Sequence, residues 1–501
     1  MTGSGSAQQS GAVHAWLRLR LRLRLRLRLL LRLVVALILI SHATAAVAYP
    51  SSVASGSDLI TSSCLFSGTQ AISLGTPAAL STVLTPGTEF TILLRTCRAS
   101  AGSAGSLFSL ATPTAAEISI RSGGGVNDTG TIGGVSFTTG AGSIKNPTWD
   151  CIALVNRNSS GTFMGRMVID GNASQPETAV GATTVPAATP LLIGARSGSS
   201  PGTISDGYSG HIAAIAIWNY ALTDAQIHEA MGLLAPSDIL YTTFDGTTFA
   251  SGLVAYYPGN DPLGTGILHD CVQGLDGICS STAIFDATQY AHYPVICWGD
   301  SLTNAAGSQT GVGWQNQLVG GGGGFRQGRT IQSEGFSGMP VAYIASQMAL
   351  PQMVQYKTWT YTFLVGQHDL GNTPTVLNFL TTQTSAMIHN RWIVLGNCMD
   401  GVGMGSGPSS LTGPQDWGTT SRAEMEDMNR REQELVGARF CNLQIPTNAI
   451  AILPAEANDV FQLRTPAHVV SAIGAPHPDD FGYICWSNAA GAFMSAMNPM
   501  W

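Results

Sequence analysis

Tyr293-Pro294-Val295-Ile296-Cys297-Trp298-Gly299-Asp300-Ser301-Leu302-Thr303 decides the architecture of the C-terminal half. A short apolar run ends on a glycine and a polar turn, the pattern of a buried strand that delivers a hydroxyl to its carboxyl end. Downstream, Trp359-Thr360-Tyr361-Thr362-Phe363-Leu364-Val365 runs into Gly366-Gln367-His368-Asp369, and Trp392-Ile393-Val394-Leu395 forms a third such strand. Helical stretches lie between and after them, notably Arg422 to Val436, where charges populate one face. Strands alternating with helices predict a parallel sheet covered on both sides, with ligands at the carboxyl ends of its strands.

The order of these motifs resembles the SGNH (GDSL) hydrolase family over residues 291–501. The first block is Gly299-Asp300-Ser301-Leu302-Thr303, followed by Gly311-Val312-Gly313-Trp314, and the second is Gly335-Phe336-Ser337-Gly338. The third, Gly-x-Asn-Asp in the family, stands here as Gly366-Gln367-His368-Asp369. The last, Asp-x-x-His-Pro in the family, stands as Gly474-Ala475-Pro476-His477-Pro478, with Gly482-Tyr483 after it. The resemblance implies a three-layer α/β/α flavodoxin-like domain and a serine ester hydrolase. Ser301 is then the nucleophile and His477 the base that takes its proton and returns it to the leaving alcohol. The oxyanion donors implied are the backbone N–H groups of Ser301 and Gly338 and the side chain at position 368. Asp300 is a loop-shaping carboxylate rather than a catalyst.

Two departures bear on activity. His368 stands where the family has its oxyanion Asn, and Gly474 where it has the Asp that orients the histidine. The catalytic group is then a Ser301–His477 dyad, its ring held by a backbone carbonyl. Spoiling the aspartate of the serine-protease triad costs about 10⁴ in turnover. Two functions of different class follow: an acyl-ester hydrolase, with O-acetylated carbohydrate among its substrates, or an adhesion or glycan-binding protein that keeps the hydrolase fold without its activity.

From Tyr49 to Leu234 the grammar is different. Short β-type runs such as Phe90-Thr91-Ile92-Leu93-Leu94, Ile152-Ala153-Leu154-Val155 and Met167-Val168-Ile169 are split by Gly, Ser, Pro and Asn clusters, which predicts an all-β sandwich. Asp170-Gly171-Asn172 is a hairpin turn, and Thr223 caps a short helix. Trp149, the strand-Asp-Gly at 167–171, Leu192-Ile193-Gly194 and the closing Ile215-Ala216-Ile217-Trp218-Asn219-Tyr220 resemble the laminin-G/concanavalin-A-like jelly roll. Such domains in exported proteins often dock on glycans or protein surfaces. Trp149, Trp218 and Tyr220 are expected in the sandwich core rather than on a sugar platform. Residues 235–290 are a linker or a sandwich extension. The two halves, 49–234 and 291–501, are expected to fold separately, because their patterns demand different layers.

Composition sets the partners. The formal charge is −7, yet Arg18, Arg20, Arg22, Arg24, Arg26, Arg28 and Arg32 stand in the first 48 residues with no acidic residue beside them. The remainder therefore carries −14, the −7 of the chain less the +7 of that segment. A surface that acidic argues against nucleic acid and anionic membrane. The Leu-Arg run, the apolar Leu33 to Ile40 and Ala46-Val47-Ala48 together read as a signal peptide over residues 1–48, too short in its apolar part for a stable membrane span. Export to a secreted, cell-surface or periplasmic site is expected, with disulfides, Cys271–Cys279 and Cys64–Cys97 first among them. No cysteine or histidine spacing suggests a metal site, and no cofactor is implied. The oligomeric state is not written in the sequence.

Overall fold

The computed structural model describes residues 62–443 and 480–497, apart from 101, 113–115, 125–126, 142–148, 174–175, 185–188, 201–202, 245–246, 260, 262–264, 282–283, 287–290, 306–312, 316–329, 388, 390 and 397–418. The signal-peptide reading, His477 and Gly474 fall outside those residues.

The N-terminal half is a sandwich of two antiparallel sheets. In the first, the order runs Asn172–Ala173, Thr162–Ile169, Asp150–Ser159, Phe90–Arg98, Ser209–Trp218, Ser63–Ser67 and Phe285–Asp286, with Leu253–Tyr257 also paired to Ser209–Trp218. The second runs Ile267–Leu268, Gly277–Cys279, Ile72–Ser73, Leu191–Ile193, Ala104–Ala111, Ala116–Gly123, Asn127–Ile132 and Val135–Ala141. Residues 253–286 thus add strands to both sheets, as a sandwich extension does. Phe90, Ile92, Leu94, Ile152, Leu154, Ile212, Ile215 and Ile217 fill the space between the sheets.

One strand shows how the sequence keeps its faces sorted. Along Ile212-Ala213-Ala214-Ile215-Ala216-Ile217-Trp218, strict alternation breaks at the two adjacent alanines. The pairing with Phe90–Arg98 shifts register there, and Ala214 takes φ 50°. The extra residue is a β-bulge, which returns Ile215 and Ile217 to the inner face.

The other face of this first sheet is also buried. Leu93, Cys97, Ala153, Val155, Ala216 and Trp218 belong to one core cluster with Val295, Trp298, Phe363 and Val394 of the C-terminal half. Burial on both faces explains why Ile92-Leu93-Leu94 and Ile152-Ala153-Leu154-Val155 read as unbroken apolar runs. The helix Asp224–Ala230, closed at its start by the Thr223–Gln226 capping box, lies at this junction. Glu229 accepts from the N–H groups of Lys357 (3.1 Å) and Thr358 (2.9 Å), and Trp359 Nε1 donates to His228 O at 2.9 Å. Arg391 donates to Asp238 Oδ2 at 3.0 Å and Gly232 O at 2.8 Å, with its guanidinium 3.8 Å over the Tyr293 ring. Different layers therefore meet in a shared core, where separate folding is expected from the sequence patterns alone.

The C-terminal half holds a five-stranded, all-parallel sheet in the order Ile331–Gly335, Val295–Gly299, Thr360–Leu364, Trp392–Gly396, Phe440–Asn442. Counted along the chain that order is 2-1-3-4-5. Helices Val341–Met348, Thr373–Ser385, Thr419–Val436 and Asp480–Met497 accompany it.

The expected disulfides are not formed: Cys64 and Cys279 carry free thiols. Cys64 is level with Ile212 and Cys97 with His211, on opposite sides of one strand. Two strand spacings, roughly 9–10 Å, separate their backbones, beyond the ~7 Å Cα limit for a bridge. Cys271 N donates to Tyr256 O at 2.9 Å beside the first sheet, whereas Cys279 is level with Ile72 in the second.

Candidate functional site

The parallel sheet brings three loops to one edge, and the Gly-Asp-Ser-Leu turn stands at the centre. Val295–Gly299 is buried throughout, between Ile331–Gly335 and Thr360–Leu364. Beyond Gly299 the chain folds back on itself. Asn304 N donates to Asp300 O at 3.0 Å, and Leu302 N donates to Asp300 Oδ1 at 3.0 Å. Two glycines make this turn sterically possible. A Cβ on Gly299 would lie 2.1 Å from Thr303 Oγ1, and one on Gly335 2.2 Å from Asn304 N. Ser301 sits at the crest, 7% exposed.

The second loop leaves the neighbouring strand. Phe336 N donates to Gly299 O at 2.9 Å, and Met339 N to Phe336 O at 3.1 Å. Gly338 has φ +76° with open space around the position of a side chain, so its backbone is uncovered on that side. The third loop begins at Gly366, φ +102°, where a Cβ would meet Met428 Sδ at 2.5 Å. It makes one 3-10 turn, Gln367–Asp369. His368 is exposed at its tip, whereas Asp369 is buried and its Oδ2 accepts from Val341 N at 2.9 Å. Ser301, Gly338 and His368 are therefore carried by the carboxyl ends of three adjacent parallel strands. Although the residue is exposed, the protein around the ring partly desolvates it and holds the His368 pKa below the ordinary histidine value, with Asp369 opposing. The neutral ring has one N–H to donate.

Asp300 is the strongest electrostatic feature of the turn. Burial pushes its pKa up to about 7, backbone N–H groups including that of Leu302 oppose the rise, and the charge of Asp369 adds to it. Oδ2 has no hydrogen-bond partner among the described residues. This is a carboxyl group that shapes the turn beneath Ser301. Its ordinary pKa is about 3.9, so between about pH 4 and 7 the folded chain holds a proton that the unfolded chain has released. Stability from this group is full below pH 4 and falls as pH rises to about 7. Asp300→Asn retains an acceptor for Leu302 N–H and cannot titrate, so its melting temperature is expected to fall less than that of the wild type between pH 4.5 and pH 7.5. Parallel slopes for the two proteins would remove Asp300 as the source.

Some bracing residues escape the motif. Gln315 Nε2 donates to Ser333 Oγ at 2.8 Å and to Thr303 O, and Ser333 Oγ donates to Thr303 O at 3.0 Å. Asn304 Nδ2 donates to Ser337 Oγ at 3.1 Å, joining the first loop to the second. The available signal is position: Asn304 follows the first block directly and Gln315 follows Trp314. His477 and Gly474 lie outside the described residues.

In the sandwich, Trp149 and Trp218 are buried, 2% and 0% exposed, and Trp218 Nε1 donates to Phe249 O at 2.8 Å. They are core. Among the described residues no group of three or more His, Cys, Asp or Glu side chains is placed to hold a metal ion. No helix among them is long and apolar enough to cross a membrane.

Comparison with known proteins identifies the sandwich. The laminin-G family model described as the concanavalin A-like lectin/glucanases superfamily matches residues 66–228. No curated protein matches the chain. Similar solved structures include a Bacteroides ovatus protein described as carbohydrate-binding, at 15% identity and TM-score 0.33, covering 44% of this chain and 59% of that one. The chain thus spans little more than half the length of that protein. A heptameric SAP-like pentraxin from Limulus polyphemus is 15% identical, with TM-score 0.28, over 35% of this chain and 83% of its own. The CBM40 of a Ruminococcus gnavus sialidase, in a structure bound to α2,3-sialyllactose, is 13% identical with TM-score 0.28, over 34% of this chain and 97% of its own. Residues 66–228 are a concanavalin A-like jelly roll.

Proposed function

We propose that this chain is an exported serine ester hydrolase of SGNH type, which cleaves small acyl groups, O-acetyl groups of carbohydrates among them, through an acyl-enzyme on Ser301. The observation that carries the reading is the turn at Ser301. A serine on a tight, glycine-dependent turn at the carboxyl end of a central parallel strand, with Gly338 and His368 on the two neighbouring loops, is what acyl transfer requires of a nucleophile and its oxyanion donors. The strand order 2-1-3-4-5 supports the three-layer flavodoxin-like reading of residues 291–501, since it is a doubly wound order with ligands at the strand carboxyl ends. His477 is the base in this reading. The jelly roll is the docking module, and its family description, which names lectins and glucanases, supports a glycan as its ligand.

Attack of Ser301 Oγ on the ester carbonyl transfers its proton to His477 and places negative charge on the carbonyl oxygen. Collapse expels the alcohol, which takes the proton back from His477. Water then repeats the sequence on the acyl-enzyme, releasing the acid. A fluorophosphonate serine probe tests the reading, because only an activated serine reacts at a useful rate. Labelling mapped to Ser301 by peptide mass spectrometry is the expected result, and a chain that stays unlabelled while folded refutes it.

A second reading has its own support. His368 is exposed where the family carries an amide donor, and Gly474 removes the orienting acid, so a glycan-binding or adhesion protein with a silent hydrolase fold fits those two positions. The same probe separates the readings.

A further inference from the structure

We propose that Phe336, Met339 and Tyr343 form a ledge beside Ser301 that seats the pyranose ring of an O-acylated sugar; the proposal rests on the hydrolase reading of the same site. Phe336 is tied by its N–H to the carbonyl of Gly299, the last residue of the strand that carries the nucleophile turn. Its ring stacks on Trp298 with centroids 6.4 Å apart and planes at 27°, and it receives Tyr343 edge-on at 5.4 Å and 71°. The indole of Trp298 is buried beneath it. Above this base, Met339 and Tyr343 are 38% and 39% exposed. A partly exposed apolar surface is thereby tied to the end of the strand whose turn carries Ser301.

The polar groups on the ledge select its occupant. Asn304 and Ser337, both exposed and bonded to each other, join the loop of Phe336 and Met339 to the turn of Ser301. Small-molecule sites combine apolar walls with a few placed polar groups that fix orientation. A pyranose presents one C–H face and a rim of hydroxyls, matching a ring face bordered by an amide and a hydroxyl. A long acyl chain needs a slot that strips water from all its sides, and an open ledge with a polar border does not supply one. The sugar therefore lies on the ledge as leaving group, and the acyl group points to the oxyanion donors.

The test compares the wild type with the Met339→Ala/Tyr343→Ala double variant on a mono-O-acetylated methyl pyranoside, 4-nitrophenyl acetate and 4-nitrophenyl octanoate. The expected result is a fall of about 10-fold in the ratio of kcat/KM for the pyranoside over that for 4-nitrophenyl acetate, carried in KM. An unchanged ratio overturns the ledge, and so does a selective loss on the octanoate, which would make it an acyl site. If the wild type hydrolyses no ester, the hydrolase reading fails by itself. The ledge is then judged by tryptophan fluorescence titration with the acetylated pyranoside, where equal affinity of wild type and double variant overturns it and weaker binding by the variant sustains it.

Discussion

Ser301→Ala is expected to lower turnover of a short acyl ester by on the order of 10⁴–10⁶-fold, to the background of the buffer, with the fold intact. The size follows from the role. Without the hydroxyl no acyl-enzyme forms, and what remains is binding and whatever the oxyanion donors give to attack by water. The small side chain makes the substitution mild, since Ser301 is at the crest of a turn whose shape is set by the Asp300 and Asn304 hydrogen bonds and by Gly299 and Gly335. Steady-state hydrolysis of 4-nitrophenyl acetate by purified wild type and variant reads the outcome. A variant that keeps the wild-type rate would move the chemistry away from Ser301 altogether.

Arg391→Ala is expected to destabilise the chain by about 3–5 kcal/mol, the cost of breaking a buried ion pair from one side. Arg391 and Asp238 are both buried, 6% and 8% exposed. Removing the guanidinium takes the buried cation from the Asp238 carboxylate, which keeps the Tyr293 hydroxyl at 2.6 Å, two long backbone contacts and His389 Nδ1 at 3.6 Å, and it leaves Gly232 O and Thr358 O without their Arg391 donor. Arg430 provides the contrast. It pairs with Asp427 and Glu434 on the exposed face of Thr419–Val436, where solvent screens the charges, and Arg430→Ala is expected to shift nothing measurable. Urea unfolding of the three proteins decides the matter; an Arg391→Ala midpoint equal to that of Arg430→Ala would mean the junction is not held by this network.

The sequence announces what local chemistry dictates. A parallel strand buried on both faces is apolar along most of its length, so Val295–Trp298 and Tyr361–Leu364 are visible without a structure, and the glycines after them mark where the chain must turn. Thr223 and Gln226 likewise declare a helix start at three-residue spacing. What stays hidden depends on chain segments far apart in sequence. Cys64 and Cys97 look like partners until a third strand is placed between them. The bulge at Ala213–Ala214 is two small residues in a row, a pattern with no unique reading until the partner strand fixes the register. Gln315 and Ser333 brace the Thr303 carbonyl only because the strand Ile331–Gly335 and the segment at Gln315 meet the turn there. The apolar run Ile152-Ala153-Leu154-Val155 does carry the news that both faces of its sheet are covered, but it does not say by what.

The doubly buried sheet has a practical consequence for anyone cutting this gene. A truncation at residue 234 would strip Leu253–Tyr257 from the edge of Ser209–Trp218 and open to water the wall formed by Leu93, Val155 and Trp218. The product would be a sticky half-shell rather than a portable binding tag. Fusion libraries and recombination crossovers in this chain should therefore keep sandwich and parallel sheet together as one inheritable block.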